Sequence, residues 1–223
     1  MSSWLAEAAA VLAKEWRSES RTRVALSSVL LFATTTLFVV SIAVGPIGGA
    51  PMIRPIMPVL LWIILLFATS AGLPRTFVHE EEVRTADALR LAGSPSAVFA
   101  GKALYNLALV LVLEALVTPL FLGLLGVDVE RPLELVWMLL AGGLGLAVGS
   151  TLIAAIVAQA QVRGTLFAVL AFPILLPLLK LAVDGSVAAM LGEPAGATLT
   201  LTFLYDGVLI VAGAMLFPLI WNP

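Results

Sequence analysis

Cysteine is absent from this sequence of 223 residues, and charged residues make up only 12% of it. Without cysteine the chain can form no disulfide, no thiolate metal site, no iron–sulfur cluster and no covalent c-type haem attachment. The net charge is -2, so the chain lacks the basic excess of a nucleic-acid-binding protein. We therefore expect no nucleic acid among its partners.

Apolar residues are abundant instead, at 61% of the sequence, far above their share in a soluble domain. Six apolar runs are each long enough to cross about 30 Å of hydrocarbon as a helix that rises about 1.5 Å per residue. The predicted spans are residues 24–44, 53–72, 103–125, 133–158, 165–183 and 199–221. The sequence predicts an all-α integral membrane protein with six transmembrane helices in one domain, residues 1–223.

The segment before the first span, residues 3–23, has the pattern of an amphipathic helix. Leu5, Ala8, Leu12 and Trp16 fall on one helical stripe, and the basic residues lie on other faces. This pattern is typical of a helix at the membrane surface, with its tryptophan at the boundary and its basic side chains near anionic lipid. The alternative is a disordered basic leader.

Basic residues are distributed unequally between the two sides of the predicted topology. One side carries Lys14, Arg17, Arg21, Arg23, Arg75, Arg84, Arg90, Lys102 and Arg163, and the other carries Arg54, Arg131 and Lys180. Cytoplasmic segments of membrane proteins are enriched in lysine and arginine, so the first side is predicted to be cytoplasmic. Both termini and the segment 74–102 belong to that side.

The segment 74–102, between the second and third spans, is the longest polar interval of the chain. Three consecutive acids, Glu80 to Glu82, precede a helical pattern that ends at Gly93-Ser94-Pro95. The acids come early and Arg90 comes late, as the helix dipole favours. We interpret residues 80–92 as a water-exposed helix that either docks on a soluble partner or serves only as a solvated connector.

Catalysis by the chain itself is not predicted. Gly101-Lys102 resembles the end of a phosphate-binding loop, but Ser96 stands where that loop needs glycine and Ala103 where it needs serine or threonine. We interpret Lys102 as a basic residue at the cytoplasmic mouth of the third span. The only histidine, His79, is a lone imidazole in an acidic loop, so no metal site is predicted.

Two acidic residues lie inside the predicted spans. Glu114 is at the middle of the third span, and Asp206 lies about 10 Å into the sixth, nearer the outer interface. A carboxylate in hydrocarbon is costly, so such residues usually face a cavity or a polar partner. Glu114 is therefore a candidate for a translocation path, for proton binding or for a polar contact between helices.

Two further patterns concern the packing and shape of the helices. Ala141, Gly145 and Gly149 recur every four residues, which allows another helix to approach closely, either in the same subunit or in a second copy. Pro173 and Pro177 each remove a helical hydrogen bond, and they predict kinks in the fifth span.

Several short motifs occur together in an order that resembles one known family. In the loop these are Phe77-x-x-Glu80, Leu89-x-Leu91 and Ser94-Pro95, followed by Lys102. Farther on are Arg163-Gly164, Pro173-x-x-x-Pro177, Asp206 and Leu216-Phe217-Pro218. With the basic N-terminal helix and the six spans, the arrangement resembles the heme exporter protein B (CcmB) family, the permease subunits of the bacterial cytochrome c maturation ABC transporter. Lys180 departs from the family, which is generally apolar at that place.

The resemblance implies an ABC-2 type permease in the bacterial inner membrane. It implies that two copies of the chain work with two copies of a cytoplasmic ATP-binding subunit of the CcmA type. Association with CcmC and CcmD, and indirectly with the periplasmic haem chaperone CcmE, is implied as well. Haem is then a transported substrate rather than a tightly bound cofactor, because no histidine lies within a span.

The resemblance also makes the loop helix the coupling helix that docks on the ATPase. Its predicted contact residues are Glu80, Glu81, Glu82, Thr85, Leu89 and Arg90. Whether the chain carries haem or only transmits the movement that frees the loaded chaperone is left open. Two other functions remain possible on the sequence: a permease for lipid or polysaccharide, and a scaffold that holds haem-delivery proteins and transports nothing.

Overall fold

The structure of the protein is a computed structural model. It describes residues 4–45, 50, 52–73, 77, 89, 93–158 and 163–221, with the backbone alone for residues 163–168. The helices of these residues are α1, Trp4–Thr22; α2, Val24–Val44; α3, Met57–Gly72, preceded by a 3₁₀ turn, Arg54–Ile56; α4, Pro95–Leu125; α5, Pro132–Ala158; α6, Arg163–Leu191; and α7, Gly196–Trp221.

The helices α2 to α7 are long and apolar enough to cross a membrane, if the 3₁₀ turn is counted with α3. The residues that the structure describes include no strand. The prediction of an all-α protein with six spans is therefore confirmed.

Helix α5 lies at the centre of the bundle and packs against α4, α6 and α7. In its most apolar stretch 83% of the residues are buried, against 17% in α2. Its glycines permit this close packing: a Cβ at Gly145 would lie 2.5 Å from Leu178 of α6, and one at Gly149 would lie 2.7 Å from Leu175. These two glycines are thus covered by helices of the same subunit.

Two helices extend beyond the predicted spans, whose limits in the membrane stay a prediction. Helix α4 begins at Pro95 instead of residue 103, because a proline in the first helical turn loses no helical hydrogen bond. Helix α6 runs on to Leu191 instead of ending at residue 183, so most of the predicted loop 184–197 is helical. The chain leaves α6 at Gly192, whose φ of +82° suits a glycine that ends a helix.

The polar start of the segment 184–191 explains why composition alone suggests a loop. In the structure this segment is covered by α3 and α5. Nε1 of Trp62 donates a 2.9 Å hydrogen bond to the hydroxyl of Ser186. The side chain of Met138 lies against Gly185, where a Cβ would be 2.5 Å from the methionine Cε. Neighbouring helices thus cover residues that a surface loop would expose to water.

Pro173 and Pro177 both lie inside α6, which is continuous around them. The hydroxyl of Tyr205, on α7, donates a 2.8 Å hydrogen bond to the carbonyl of Ile174, between the two prolines. The prolines remove the helical donors for the carbonyls of Val169 and Pro173, so the bond to Ile174 is an additional contact that joins α7 to α6 beside the prolines. The kinks themselves stay a prediction.

Helices α1 and α2 meet at Arg23, which has a φ of +52°. The carboxylate of Glu19 accepts hydrogen bonds from the backbone N–H groups of Ala25, 3.3 Å, and Leu26, 2.8 Å. It therefore caps the first turn of α2, where N–H groups lack helical partners. Helix α1, which precedes this joint, packs along α4.

The two ends of the bundle differ in character. We call the end near α1 the Lys102 end and the other the Arg131 end. At the Arg131 end, an ion pair of 3.2 Å between Arg54 and Glu130 joins two segments that are distant in the chain. Arg131 pairs with Glu134, three residues farther along the chain, at 2.6 Å. The unusual Lys180 is exposed and pairs with Asp184 in the next turn of α6.

Candidate functional site

Helices α1, α4 and α7 meet at the Lys102 end, and Gly101 is the point of closest approach between α1 and α4. A Cβ at this position would lie 2.7 Å from the backbone oxygen of Ala8 and 2.7 Å from Cβ of Val11. Only glycine leaves room for the α1 backbone here. In the Gly101-Lys102 pair, which resembles part of a phosphate-binding sequence, the glycine thus allows α1 to pack closely against α4.

This close contact brings a buried ion pair together. Nζ of Lys102 lies 2.7 Å from Oε1 of Glu15, and the two side chains are 0% and 9% exposed. Lys14 approaches the same carboxylate oxygen at 3.2 Å. Burial, and then the positive charge of Lys102, lower the pKa of Lys14. Lys102, predicted as a basic residue at the cytoplasmic mouth of the third span, is therefore also a buried partner of α1.

Aromatic side chains surround this ion pair. The ring of Phe217 lies between three others, with centroid distances of 5.7 Å to Phe77, 5.3 Å to Phe99 and 5.3 Å to Trp221. Nζ of Lys102 lies 4.6 Å from the centroid of the Phe77 ring, in a cation–π contact. We call this set of residues the junction: Val11, Glu15, Phe77, Phe99, Lys102, Phe217 and Trp221.

The junction holds two residues of the predicted coupling loop. Phe77 is 2% exposed, and Leu89 is partly buried against the apolar part of the junction. Both belong to the short loop motifs noted in the sequence. Of the other predicted ATPase contacts, Glu80, Glu81, Glu82, Thr85 and Arg90 lie outside the described residues.

The loop ends at Ser94, directly before α4, and α1 contacts it there. Oε2 of Glu7 accepts hydrogen bonds from the backbone N–H of Ser94, 2.9 Å, and from its hydroxyl, 2.7 Å. Nε1 of Trp4 donates a 3.0 Å hydrogen bond to the hydroxyl of Ser96. A carboxylate at this place also interacts favourably with the dipole of α4. Helix α1 therefore holds the end of the loop as well as Lys102.

Substitution of Glu7 by alanine tests this attachment. We expect Glu7→Ala to destabilise the folded state by about 1 kcal/mol, the usual cost of losing a helix cap. The measurement is amide hydrogen exchange at Ala97 and Val98, which should speed up while exchange in α5 stays unchanged. The matched control is Glu193→Ala, an exposed acid at the Arg131 end. Equal effects of both changes would contradict a capping role for Glu7.

The two carboxyl groups inside the spans are both buried against α5. Glu114 is 4% exposed and lies on Gly143, while Asp206 is 1% exposed and lies on Gly145. Residues two apart in a helix point to nearly opposite sides, so α5 separates the two acids. Asp206 is also level with Glu114, deeper than its sequence position suggests.

Sequence reasoning missed the contacts made by α1. It placed Leu5, Ala8, Leu12 and Trp16 on a stripe at the membrane surface, and the structure leaves Leu5 and Trp16 70% and 54% exposed. The face that α1 buries in the bundle is Ala8, Val11 and Glu15. Their spacing of three and four residues is a helical stripe too, but a glutamate within it gave no signal of burial. Its partner Lys102 is 87 residues away in the chain.

Comparison with known families identifies the family of the chain. The family model described as CcmB protein matches residues 6–219, nearly the whole chain. No curated protein shows significant similarity to the sequence.

Proposed function

The chain belongs to the CcmB protein family, which supplies the haem-exporter permease component of cytochrome c maturation, and on this premise we propose that it couples ATP hydrolysis in a separate subunit to haem delivery. The coupling element is the loop between α3 and α4. The single observation that carries this proposal is the attachment of that loop to the junction through Phe77 and Leu89.

The junction is suited to transmit movement from the loop to the spans. Phe77 contacts Phe217 and Trp221 at the end of α7, and it also contacts Lys102 of α4. Lys102 in turn is paired with Glu15 of α1. Closely packed side chains transmit displacement because protein interiors yield little. A force on the loop therefore reaches three helices at once.

On this proposal the Lys102 end faces the cytoplasm of a bacterial cell, in agreement with the excess of basic residues on that side. The acidic residues Glu80, Glu81 and Glu82, with Thr85 and Arg90, contact the ATP-binding subunit, which is of the CcmA type. Two copies of the permease act with two copies of that subunit. CcmC and CcmD are further membrane partners, and CcmE receives haem on the periplasmic side.

Haem is the substrate on this proposal, and the chain holds it only transiently. The sequence has no cysteine and its only histidine is His79, which precedes the third span. The strongest axial ligands of haem iron are thus missing from all six spans. ATP hydrolysis belongs to the separate subunit, because the chain lacks the residues of a phosphate-binding loop.

The test is charge reversal of the loop, Glu80→Lys with Glu81→Lys and Glu82→Lys. We expect the triple variant to insert into the membrane normally but to lose stimulation of the ATPase and to yield no holocytochrome c. The measurements are membrane fractionation, ATPase activity of the purified complex and haem staining of cytochrome c.

The matched control reverses two exposed acids at the Arg131 end, Asp128→Lys with Glu193→Lys. It should leave ATPase stimulation intact. Normal holocytochrome c from the triple loop variant would refute the coupling role. A complex that assembles and matures cytochrome c without any ATPase stimulation would instead identify a scaffold.

A further inference from the structure

Helix α4 has polar residues at nearly every fourth position across the membrane. Lys102, Asn106, Glu114 and Thr118 occupy this row, and Val110 is its one apolar member. All five are buried, with at most 9% of their surface exposed. Residues four apart are neighbours on a helix surface, but each step turns the row by about 40°, so the row winds from α1 at Lys102 to α5 at Asn106 and Glu114.

The middle of this row faces α5. Nδ2 of Asn106 donates a 2.8 Å hydrogen bond to the hydroxyl of Thr151. Two turns farther on, the carboxyl group of Glu114 lies flat on the α5 backbone, where a Cβ at Gly143 would be 2.6 Å from Oε1. A side chain at residue 143 would displace this carboxyl group. Because residue 143 is a glycine, the carboxyl group of Glu114 can pack against the α5 backbone.

Several buried polar atoms of α4 and α5 have no hydrogen-bond partner among the described residues. They are Oδ1 of Asn106, Oε1 of Glu114, Oγ1 of Thr118 and Oγ of Ser150. A buried polar atom without a partner is costly, so native proteins commonly pair such atoms with ordered water. The free oxygen atoms of Asn106 and Glu114, whose side chains both face α5, are therefore hydrogen-bonding positions for water.

Charged groups that could neutralise an ionised Glu114 are distant in the described part of the chain. The helices α2 and α3 contain no titratable residue. Lys102, twelve residues away on α4, is about 18 Å distant by helical rise. On α7, Asp206 is an acid itself and lies on the other side of α5.

The other titratable groups of the neighbouring helices are engaged elsewhere: the hydroxyl of Tyr205 on α7 donates to the carbonyl of Ile174, and Lys180, although near the level of Glu114, is exposed on the outside of α6. Glu15 of α1 pairs with Lys102. Glu134 of α5 pairs with Arg131, and Lys180 and Asp184 of α6 pair with each other. No cation thus faces Glu114 within the part of the bundle that is described. A carboxyl group in such surroundings is stable in its neutral form, which carries a proton.

We propose that Glu114 is a proton-binding site in the middle of the membrane, and that its proton exchanges with water along the contact between α4 and α5. On binding, a hydronium ion gives its proton to the carboxylate, an O–H bond forms, and a neutral water molecule remains. Release is the reverse step. Asn106 supplies a hydrogen-bonding position for the water of this contact. This site is independent of the proposed coupling role of the loop.

The experiment measures infrared spectra of the full chain in lipid nanodiscs. The wild-type protein should show the carbonyl band of a protonated carboxyl group, and the band should shift when the buffer is changed to D₂O. Glu114→Gln should remove this band, whereas Asp206→Asn should leave it. Glu114→Asp should keep an exchangeable band at a shifted frequency, so the site can be tested even if the glutamine variant does not fold.

The path is tested by the rate of that deuterium shift. Asn106→Leu should slow it about tenfold, the change expected from one additional barrier of about 1.4 kcal/mol. The control is Thr34→Val on α2, whose hydroxyl bonds to the carbonyl of Leu30 in its own helix. A wild-type spectrum that Glu114→Gln leaves unchanged would overturn the site. A band that never shifts in D₂O, or a rate unaffected by Asn106→Leu, would overturn the exchange.

Discussion

Glu15→Gln should destabilise the folded protein by about 3–5 kcal/mol, the usual effect of removing one partner of a buried ion pair. Lys102 is 0% exposed and its ammonium group lies 2.7 Å from the lost carboxylate oxygen. The opposite change, Lys102→Met, should cost less, because Glu15 keeps Lys14 at 3.2 Å. The ion pair therefore predicts an unequal effect of its two single variants.

Denaturant unfolding in bicelles measures both effects, with α-helical circular dichroism as the signal. The double variant Glu15→Gln with Lys102→Met is the matched control. It removes both charges, so it should regain most of the stability lost in Glu15→Gln alone. Equal losses in the two single variants, or a double variant no more stable than Glu15→Gln, would contradict this account of the junction.

Gly101→Ala should separate α1 from α4. The added Cβ would meet the backbone oxygen of Ala8 at 2.7 Å, and a backbone atom cannot rotate away as a side chain can. Overpacking of this kind costs about 1–3 kcal/mol. The gain in helix propensity from glycine to alanine, about 1 kcal/mol, offsets only part of it. We expect a net loss of stability and a displaced α1.

Gly123→Ala is the control, on the same helix and with the same chemical change. No atom lies within 4 Å of the Cβ that it adds, so it should be neutral or slightly stabilising. Because the chain has no cysteine, spin labels at Ser20→Cys and Leu116→Cys can report the distance between α1 and α4. Gly101→Ala should lengthen it and Gly123→Ala should not. An unchanged distance in both would show that α1 is not held at Gly101.

The boundaries of the spans show how far sequence patterns reach. The first span is predicted at residues 24–44, and α2 occupies Val24–Val44. A run without charged residues, with a glycine after it, decides this result locally. The helix of the fifth span extends beyond the predicted end at residue 183, which was chosen because Asp184, Gly185 and Ser186 are polar or small. Their contacts with Trp62 and Met138 come from other helices, which composition does not reveal.

The candidate site was found only in part. Phe77, Leu89, Lys102 and Phe217 were noticed as separate motifs, and the structure brings them to one place. Glu15 had no signal at all, because its burial depends on Lys102. A charged side chain is rarely buried without a partner of opposite charge.

The sequence by itself determined that the protein is a bundle of six membrane helices, because hydrophobicity and length are local properties of each run. It also determined that the chain has no phosphate-binding loop of its own. The tertiary structure decided which helices are neighbours. From that follow the pairing of Glu15 with Lys102, the seat of Glu114 on Gly143 and the attachment of the loop, because each joins residues that are distant in the chain.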